Sequence, residues 1–550
     1  MSKFSVGDQV YVFCRYCPWR SGERFMMART YVAGTQAPRI TKSDGWVSAT
    51  VVDVADRNPL HDLATAAGVP PASVSDPSWW VRVRYNDRVW VDSKGVILDE
   101  NSLFQWVSES SGDILANHPG VDLSVLCVRW GGLMPVDDRR FDFAVSDKLI
   151  QECMQTVLSK HGTRKKIEVH TVHVTSSSDL NSVSELWASE ALSPAPQRVG
   201  MYFLWGCNND SKPGYVLSKN LVGLMERMES VGIVTRYPNH SQLYKCITSK
   251  EYQATLCTNE GLSIPATIAV PSALLLANDD KTCSKTLENL ALLKAERVLD
   301  GVVKVGNEWM GDGVRAFSGP TDLKSKALAM LEGSHGSPPV VLVQEKIRHV
   351  VCEPRVFVYN GTVGGIRYTW NEKHNPETGR IHALRTCPQS RAARERFDGD
   401  IGAQTFVEKR IVQLVKSWNN WLIAAGGEVP VFVRIDFLVE KIGDTTKSDD
   451  KESGGDTLEE GWNFSEDTEE SEEMMKSSDS ILPTAPIGPA DEIYAKKFRV
   501  WTCELGEIGS SMVGFREGRQ MLWDAIAESC AVHMPLKKPT RPPPRLPQKP

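Results

Sequence analysis

The sequence lacks several features that mark specialised classes of protein. No apolar run reaches the roughly 20 residues that a membrane-spanning helix needs. The opening segment MSKFSVGDQV contains no apolar core, so we expect no secretory signal. The 12 cysteines are scattered through 550 residues, a usage that favours reduced thiols over a disulfide framework. We therefore expect a cytoplasmic protein, with the nucleus as the alternative.

Strong charge of either sign is also lacking. The formal net charge is −6 and the isoelectric point is about 6.1, which argues against the whole chain being a nucleic-acid binder. Hydrophobic residues make up 41% of the sequence, enough to build packed cores. A chain of 550 residues predicts several such domains.

Residues 1–108 are predicted to be all-β, because GWVSATVVDV and WWVRVRY alternate apolar and polar residues between turn-forming segments. This stretch resembles an SH3-like barrel of the Tudor or chromo-barrel type. Such a domain binds methylated side chains in an aromatic cage, and ordinary core packing is the alternative that we favour. The aromatic candidates are Trp46, Trp79, Trp80, Tyr85 and Trp90.

Strands and helices alternate in residues 109–240, which predicts an α/β domain with a parallel sheet. Residues 241–525 form the largest predicted domain, and it contains an acidic insert at 445–490. Residues 445–480 hold thirteen Asp or Glu against three Lys, so we expect the insert to be disordered. The proline-rich tail, 526–550, is also expected to be disordered, and its spacing would suit docking on an SH3 domain.

The acidic insert separates two apolar strands, VFVRIDFLVE and KFRVWTCELGEIG. A lengthened hairpin loop costs little extra closure entropy, so we expect these strands to be neighbours. Arg434 and Asp436 lie two positions apart and therefore on one strand face. Glu504 on the partner strand would bring a second carboxylate, a pair that suits Mg²⁺. The alternative is a purely structural Arg434–carboxylate pair with Glu504 exposed to solvent.

Two upstream segments have residue types that suit a nucleotide. Lys304 lies at a strand end, from which its ammonium can reach a phosphate. The loop that follows contains Gly306, Gly311 and Gly313, and glycines let backbone N–H groups approach phosphate oxygens. Further along, Glu353 precedes a strand and could accept hydrogen bonds from ribose hydroxyls.

The order of these motifs resembles the ATP-grasp superfamily, in the manner of D-alanine–D-alanine ligase and glutathione synthetase, over residues 235–518. The resemblance implies an α+β ATP-grasp fold for 241–525 and a pre-ATP-grasp domain for 109–240. It implies ATP and Mg²⁺ as cofactors, with Mn²⁺ as an alternative ion. The residues that it assigns to ATP are Lys250 and Lys304 for phosphate, the loop 306–313 over the phosphates, Gln344, Glu345, Lys346 and Ile347 for adenine, and Glu353 for ribose.

The same resemblance assigns the charged strands. Arg434 and Asp436 match an R-x-D pattern, in which the arginine meets phosphate and the aspartate meets the metal. Glu504 matches the glutamate of an E-x-N metal motif. Gly506 stands where that motif has its asparagine, and Glu507 is the residue that could replace the missing ligand.

The function implied is an ATP-dependent ligase that joins a carboxylate to an amine or thiol through an acyl phosphate, with Arg434 and Lys304 catalytic. A small molecule or peptide would supply the carboxylate. Arg367, Lys373 and His374 could bind an anionic substrate, with a solvated loop as an equal alternative. Two other functions stay open: an ATP-binding pseudoenzyme that acts as an adaptor through its barrel and tail, and a methyl-peptide or chromatin reader.

Overall fold

The computed structural model of the chain divides into two compact units. Unit 1 comprises Met1–Trp205, Asp210–Tyr237 and Ile526–His533, and unit 2 comprises Gly206–Asn209, Pro238–Ala525 and Met534–Pro550. The structure describes residues 2–14, 17–20, 23–29, 40–56, 79–85, 88–91, 104–111, 113–131, 147–160, 167–193, 195–210, 214–277, 280–294, 298, 300–308, 313–332, 338–374, 381–442, 483, 486–506 and 515–531. Gly311, Glu507, most of the acidic insert and residues 532–550 of the proline-rich tail lie outside these ranges. Residues 526–531, which we expected to belong to the disordered tail, instead continue the helix Arg516–Ala531.

The strands and helices are as follows. The strands are β1 (Gln9–Cys14), β2 (Cys17–Arg20), β3 (Glu23–Arg29), β4 (Ile40–Ala55), β5 (Trp80–Tyr85), β6 (Arg88–Val91), β7 (Phe104–Ser108), β8 (Ile114–Leu115), β9 (Leu123–Trp130), β10 (Ile167–Val174), β11 (Gln197–Phe203), β12 (Trp205–Cys207), β13 (Tyr215–Leu217), β14 (Val234–Tyr237), β15 (Thr267–Pro271), β16 (Asp300–Lys304), β17 (Val314–Ser318), β18 (Val340–Glu345), β19 (Val350–Tyr359), β20 (Thr362–His374), β21 (Ile381–Pro388), β22 (Phe432–Lys441) and β23 (Phe498–Gly506). The helices are α1 (Asp147–Lys160), α2 (Ser177–Asn181), α3 (Glu185–Leu192), α4 (Ser218–Ser230), α5 (Ser241–Ser249), α6 (Tyr252–Leu256), α7 (Ser272–Leu276), α8 (Asp280–Lys294), α9 (Gly319–Glu332), α10 (Gln389–Arg396), α11 (Ile401–Gly426), α12 (Glu492–Ala495) and α13 (Arg516–Ala531).

Unit 1 contains one sheet in which parallel and antiparallel parts are continuous. Strands β9, β10, β11 and β14 pair in parallel, as the alternation of strands and helices predicts. The 16-residue strand β4 joins this part to the N-terminal strands, because it pairs antiparallel with both β10 and β1. The predicted boundary near residue 108 therefore does not separate two sheets.

Five of the N-terminal strands follow the open path β8–β1–β4–β5–β7, and β3 pairs separately with β2, β4 and β6. Among the described strands no pairing between β7 and β8 closes this path, so the SH3-like barrel stays a prediction. Trp46 and Tyr85 are both buried, which makes them core residues rather than walls of an exposed cage. Trp79 and Trp80 are half-buried. The side chain of Trp90 lies outside the described part of the chain.

Unit 2 contains two antiparallel sheets, and both pack against helices. In the first, the strand order is β15–β18–β16–β17, and α8 and α9 contribute to its core. Val303 and Val305 point into that core. Because side chains alternate along a strand, Lys304 points to the opposite face.

The second sheet of unit 2 has the order β21–β20–β19–β22–β23, and α11 covers one face. This helix begins at an Asp400 cap that accepts from the Ala403 N–H, and it ends at Gly427 in the left-handed region. Ile435 and Phe437 on β22 pack in the core beneath α11, together with Trp418. Because side chains alternate along a strand, Arg434 and Asp436 lie on the face of β22 that points away from α11.

Among the described helices, none combines the length and apolar character that a membrane crossing requires.

Candidate nucleotide and metal site in unit 2

The face of β22 away from α11 presents Arg434 and Asp436, which are 5% and 1% exposed. They form a two-pronged ion pair, with Nε donating to Oδ1 at 2.7 Å and Nη2 donating to Oδ2 at 2.5 Å. A buried carboxylate and guanidinium are stable only when paired and hydrogen-bonded in this way. The Arg434–carboxylate ion pair that a purely structural role would require is therefore present.

The strand on the far side of the acidic insert, β23, pairs antiparallel with β22, as we expected from the sequence. Asp436 lies directly opposite Glu504, and Arg434 lies directly opposite Gly506. The register shifts between Asp436 and Phe437, because β23 carries one extra residue, Cys503. This bulge is what turns Glu504 to the face of Asp436, since Thr502 on the other side of the bulge is buried opposite Phe437.

Glu504 is half-buried, with 29% of its side chain exposed, rather than fully exposed to solvent as the structural alternative expects. Its Oε2 forms an ion pair with Lys250 Nζ at 2.8 Å. Burial by itself would raise the pKa of Glu504, but the adjacent Lys250 outweighs burial and lowers the pKa to about 2. Lys250 is buried too, and Glu504 raises the pKa of its ammonium against the opposing effect of burial.

Lys250 is held in an unusual backbone conformation. It caps α5 with φ of 59°, in the left-handed region that a lysine rarely adopts. Such backbone conformations persist where the surrounding structure enforces them, and they concentrate at functional sites. The sharp turn between α5 and α6 directs the Lys250 side chain towards β23.

Lys304 is 5% exposed, and its ammonium forms no ion pair with any residue that the structure describes. It is close enough to Cys503 and Glu504 that its charge opposes the rise that burial gives the pKa of Cys503 and adds to the lowering of the pKa of Glu504 by Lys250. A buried lysine without an ionic partner is expensive unless an anion binds there. Lys304 therefore supplies positive charge at the same place as Lys250.

The two described glycines of the loop after β16 are fixed by close packing. A Cβ on Gly306 would lie 2.3 Å from the Ser249 carbonyl oxygen, and a Cβ on Gly313 would lie 2.5 Å from the Glu308 Cβ. Asn307 donates its N–H to the Thr248 carbonyl at 2.7 Å. The base of this loop is thus bound to the end of α5, next to Lys250.

The segment assigned to adenine uses two of its side chains internally. Gln344 Nε2 donates to Thr267 Oγ1 at 2.8 Å, and Glu345 Oε2 pairs with Lys294 Nζ at 3.0 Å. Lys346 is exposed and Ile347 is half-buried, just beyond the end of β18. Any adenine contact from Gln344 or Glu345 would therefore come from the backbone, as the resemblance implies.

Glu353, assigned to ribose, pairs with Arg355 two residues later on β19, through Arg355 Nε at 2.9 Å from Oε1. Burial raises the pKa of Glu353, and the neighbouring Arg355 opposes that rise only in part. Strand register places Arg355 between Arg367 on β20 and Asp436 on β22.

Four charged residues thus lie in register across four neighbouring strands. We call them the charged row: Arg367, Arg355, Asp436 and Glu504. The row is cationic at the β20 end and anionic at the β23 end. Its anionic end is flanked by three further cations, Lys250, Lys304 and Arg434.

The candidate substrate residues are only partly described. Arg367 stands in the charged row, and its guanidinium lies over the Phe515 ring at 4.6 Å from the centroid. The backbones of Lys373 and His374 belong to β20, but their side chains lie outside the described part of the chain. Their assignment to a substrate stays a prediction.

The donor set at the anionic end suits Mg²⁺. No group of three or more His, Cys, Asp or Glu side chains converges on one point among the described residues. Mg²⁺ does not require such a cage, because it is usually held by one or two carboxylates together with phosphate oxygens and water. Asp436 and Glu504, directly opposite each other, provide that number. Gly506 provides no side-chain oxygen, and Glu507 lies outside the described residues.

Sequence reasoning missed the polar residues that hold this arrangement in place. Gln253 is 1% exposed and donates from Nε2 to the Cys503 carbonyl at 3.0 Å. Tyr252 Oη accepts from the Leu505 N–H at 2.7 Å. Asn208 Nδ2 donates to the Gly306 carbonyl at 2.8 Å. Their partners are distant in sequence, so no local pattern could have revealed these contacts.

No family model matches the sequence, and no curated protein matches it. Several solved structures are similar. D-alanine–D-alanine ligase from Bacillus anthracis is 12% identical with a TM-score of 0.35, and the match covers 58% of this chain and 82% of that one. D-cycloserine synthetase is 13% identical with a TM-score of 0.40, covering 74% and 99%. An ATP-grasp RimK domain protein from Sphaerobacter thermophilus is 10% identical with a TM-score of 0.33, covering 74% and 98%. At TM-scores this low, function has to be inferred from the residues themselves.

Proposed function

We propose that unit 2 has an ATP-grasp fold and that the protein is an ATP-dependent ligase, joining a carboxylate to an amine or thiol through an acyl phosphate. One observation carries this proposal: Asp436 and Glu504 lie directly opposite each other at a point where Lys250, Lys304 and Arg434 also meet. Paired carboxylates flanked by several buried cations suit a metal-bound polyphosphate better than any neutral ligand.

Lys304 and Lys250 would bind the polyphosphate in different ways. Lys304 has no ionic partner among the described residues, so it is available to a phosphate without breaking an existing pair. Lys250 pairs with Glu504, and an incoming phosphate would share its ammonium. Together they would neutralise much of the charge that makes a polyphosphate unreactive towards an anionic nucleophile.

Asp436 and Glu504 would hold Mg²⁺, which would supply further neutralisation of the polyphosphate. The protein holds both carboxylates ready for this role. Arg434 fixes the Asp436 carboxylate through two hydrogen bonds, and Lys250 keeps Glu504 ionised. Holding the charges in place before the nucleotide arrives lowers the reorganisation that binding and reaction require.

In the proposed reaction, a carboxylate oxygen of the substrate bonds to the γ-phosphorus of ATP while the bond to the bridging oxygen breaks, and ADP leaves. The amine or thiol then bonds to the acyl carbon, and phosphate leaves with the electron pair of its C–O bond and, overall, with the proton that the nucleophile loses. Arg434 would stabilise the transferring phosphoryl group. No side chain of the protein has to form a covalent bond in this scheme.

A second candidate rests on Gly506, which lies opposite Arg434 and adds no side-chain oxygen to the site. On this alternative the protein binds ATP without turnover and acts as an adaptor through its N-terminal strands and its tail. A role as a methyl-peptide reader and a protein partner for the tail stay predictions. Binding and turnover must therefore be measured separately.

The test is ADP release in the presence of Mg²⁺ across a panel of amino acids and peptides, with Lys304→Ala and Asp436→Ala as inactive comparisons. The ligase proposal predicts release that depends on one acceptor class and is lost in both variants. ATP binding with no ADP from any mixture would favour the adaptor instead. Absence of any ATP-induced rise in melting temperature would overturn both.

A further inference from the structure

Gln253 lies in the middle of a buried chain of hydrogen bonds within unit 2. Gln344 Nε2, on β18, donates to Gln253 Oε1 at 3.1 Å. Gln253 Nε2 in turn donates to the carbonyl oxygen of Cys503, on β23, at 3.0 Å. Both glutamines are nearly inaccessible, at 1% and 3% exposed. The chain therefore connects the two sheets of unit 2 through the single amide of Gln253.

The direction of hydrogen-bond donation along this chain is fixed by the Thr267 hydroxyl. Thr267 Oγ1 donates to the Pro265 carbonyl at 2.7 Å and accepts from Gln344 Nε2 at 2.8 Å. Gln344 must therefore present its NH₂ group towards Gln253, which must accept this hydrogen bond through its side-chain carbonyl oxygen. That leaves the Gln253 NH₂ group directed at Cys503. Every amide in the chain has one orientation that satisfies its partners.

The end of the chain falls on the bulge that positions Glu504. Cys503 is the extra residue of the bulge, and its carbonyl is held by Gln253. The N–H of Leu505, on the other side of Glu504, is held by Tyr252 Oη at 2.7 Å. Two consecutive residues of α6 thus hold the backbone on both sides of Glu504.

We propose that Gln253 is a positioning residue that holds Glu504 in the charged row. Because Gln344 on β18 binds Gln253, the position of Glu504 then depends on β18 as well. This inference rests on the proposed function, because it concerns the metal-binding use of Glu504. Without Gln253 the Cys503 carbonyl would lose this hydrogen bond, a cost that the bulge can reduce by rearranging. In a regular ladder without the bulge, Glu504 would turn to the α11 face, away from Asp436.

The matched variants are Gln253→Glu and Gln404→Glu. The first keeps an acceptor for Gln344 but places a carboxylate oxygen against the Cys503 carbonyl. The second makes the same change in the first turn of α11, where Gln404 Nε2 donates to the Gln389 carbonyl and to Glu408 Oε1. A milder pair is Tyr252→Phe and Tyr368→Phe, since the Tyr368 hydroxyl donates to Glu408 Oε1, whereas the Tyr252 hydroxyl accepts from the Leu505 N–H of β23.

The first readout is the affinity for Mn²⁺, measured by water proton relaxation with ATP present. Loss of an outer contact to a metal-binding residue weakens metal binding by roughly 10–100-fold, so we expect a shift of that size in Gln253→Glu. Tyr252→Phe should shift in the same direction, and both control variants should stay within about twofold of the wild type. Unchanged Mn²⁺ affinity in Gln253→Glu and Tyr252→Phe would overturn the positioning role.

The second readout needs no nucleotide. Amide hydrogen exchange of the 500–506 segment should speed up by about tenfold in Gln253→Glu, because one buried hydrogen bond that holds the bulge is lost. Exchange in this segment should be unaffected in Gln404→Glu. If the wild type binds neither ATP nor Mn²⁺, the proposed function falls, and the exchange comparison decides by itself whether Gln253 holds the bulge. Equal exchange in the two variants would overturn the inference.

Discussion

Asp436 lies directly opposite Glu504 on the neighbouring strand, yet each carboxylate is neutralised by a different cation. Arg434 binds Asp436 through two hydrogen bonds, and Lys250 pairs with Glu504. Like charges facing each other across a ladder are destabilising, so a structural role alone gives no reason to keep both. A ligand that binds both carboxylates at once does give a reason for the pair.

The stability of the fold should fall in acid because of Glu504. Its pKa in the folded state is about 2, below the ordinary value of 4.5, so its contribution is present above pH 4.5 and is lost as the pH falls towards 2. Linkage predicts that the wild type loses about 2 kcal/mol between pH 7 and pH 3 that Glu504→Gln does not lose. Urea unfolding at each pH measures this difference.

The control is Glu528→Gln, which removes a carboxylate from an exposed pair with Lys160. Exposed ion pairs contribute little to stability, so this variant should lose stability in acid in parallel with the wild type. If Glu504→Gln also runs parallel to the wild type, the Lys250–Glu504 pair does not hold the glutamate ionised.

Lys304→Met should separate stability from binding. Methionine removes a buried ammonium that has no ionic partner among the described residues, so we expect the free energy of unfolding to rise or stay level. Affinity for ATP should fall by roughly 10–100-fold, because a hydrogen bond to a charged group contributes a binding free energy of that size. Calorimetric titration with ATP and urea unfolding measure the two effects.

Lys409→Met is the matched control, because Lys409 pairs with Asp491 at 3.0 Å elsewhere on unit 2. This variant should lower stability and leave ATP affinity unchanged. The opposite result, in which Lys304→Met destabilises the fold but binds ATP as well as the wild type does, would make Lys304 a structural residue.

Gly306→Ala should weaken both the fold and ATP binding. The added Cβ would meet the Ser249 carbonyl oxygen at 2.3 Å, so the loop and the end of α5 must move apart. Overpacking of this kind costs about 1–3 kcal/mol of stability, and the shift would displace Lys250. Gly488→Ala adds its Cβ to open space and should change neither quantity. Thermal melts with and without ATP compare the two; equal behaviour would show that the loop tolerates a side chain.

Much of the charged face could be predicted from local sequence. The i, i+2 spacing of Arg434 and Asp436 puts them on one face, and the acidic composition of residues 445–480 marks an insertion between two paired strands. Both inferences use only the period of a strand and the inability of a highly charged segment to bury a core. Lys304 at the end of an apolar strand was recognisable for the same reason.

The bulge and its supports could not be predicted in this way. Simple alternation from Thr502 would place Glu504 in the core, and only the extra residue Cys503 corrects its direction. That bulge depends on Gln253, whose partner lies 250 residues away in the sequence. The continuity of β4 with β10 was missed for a related reason, because pairing between distant strands leaves no local pattern.

The most direct test of the central claim is calorimetric titration of ATP into the wild type and Asp436→Asn, each with Mg²⁺ and with excess EDTA, using Asp491→Asn as the matched control. The charged row predicts Mg²⁺-dependent binding in the wild type and in Asp491→Asn, weakened by roughly 10-fold or more in Asp436→Asn and in EDTA. Binding of equal strength in all of these conditions, or no binding by the wild type, would contradict it.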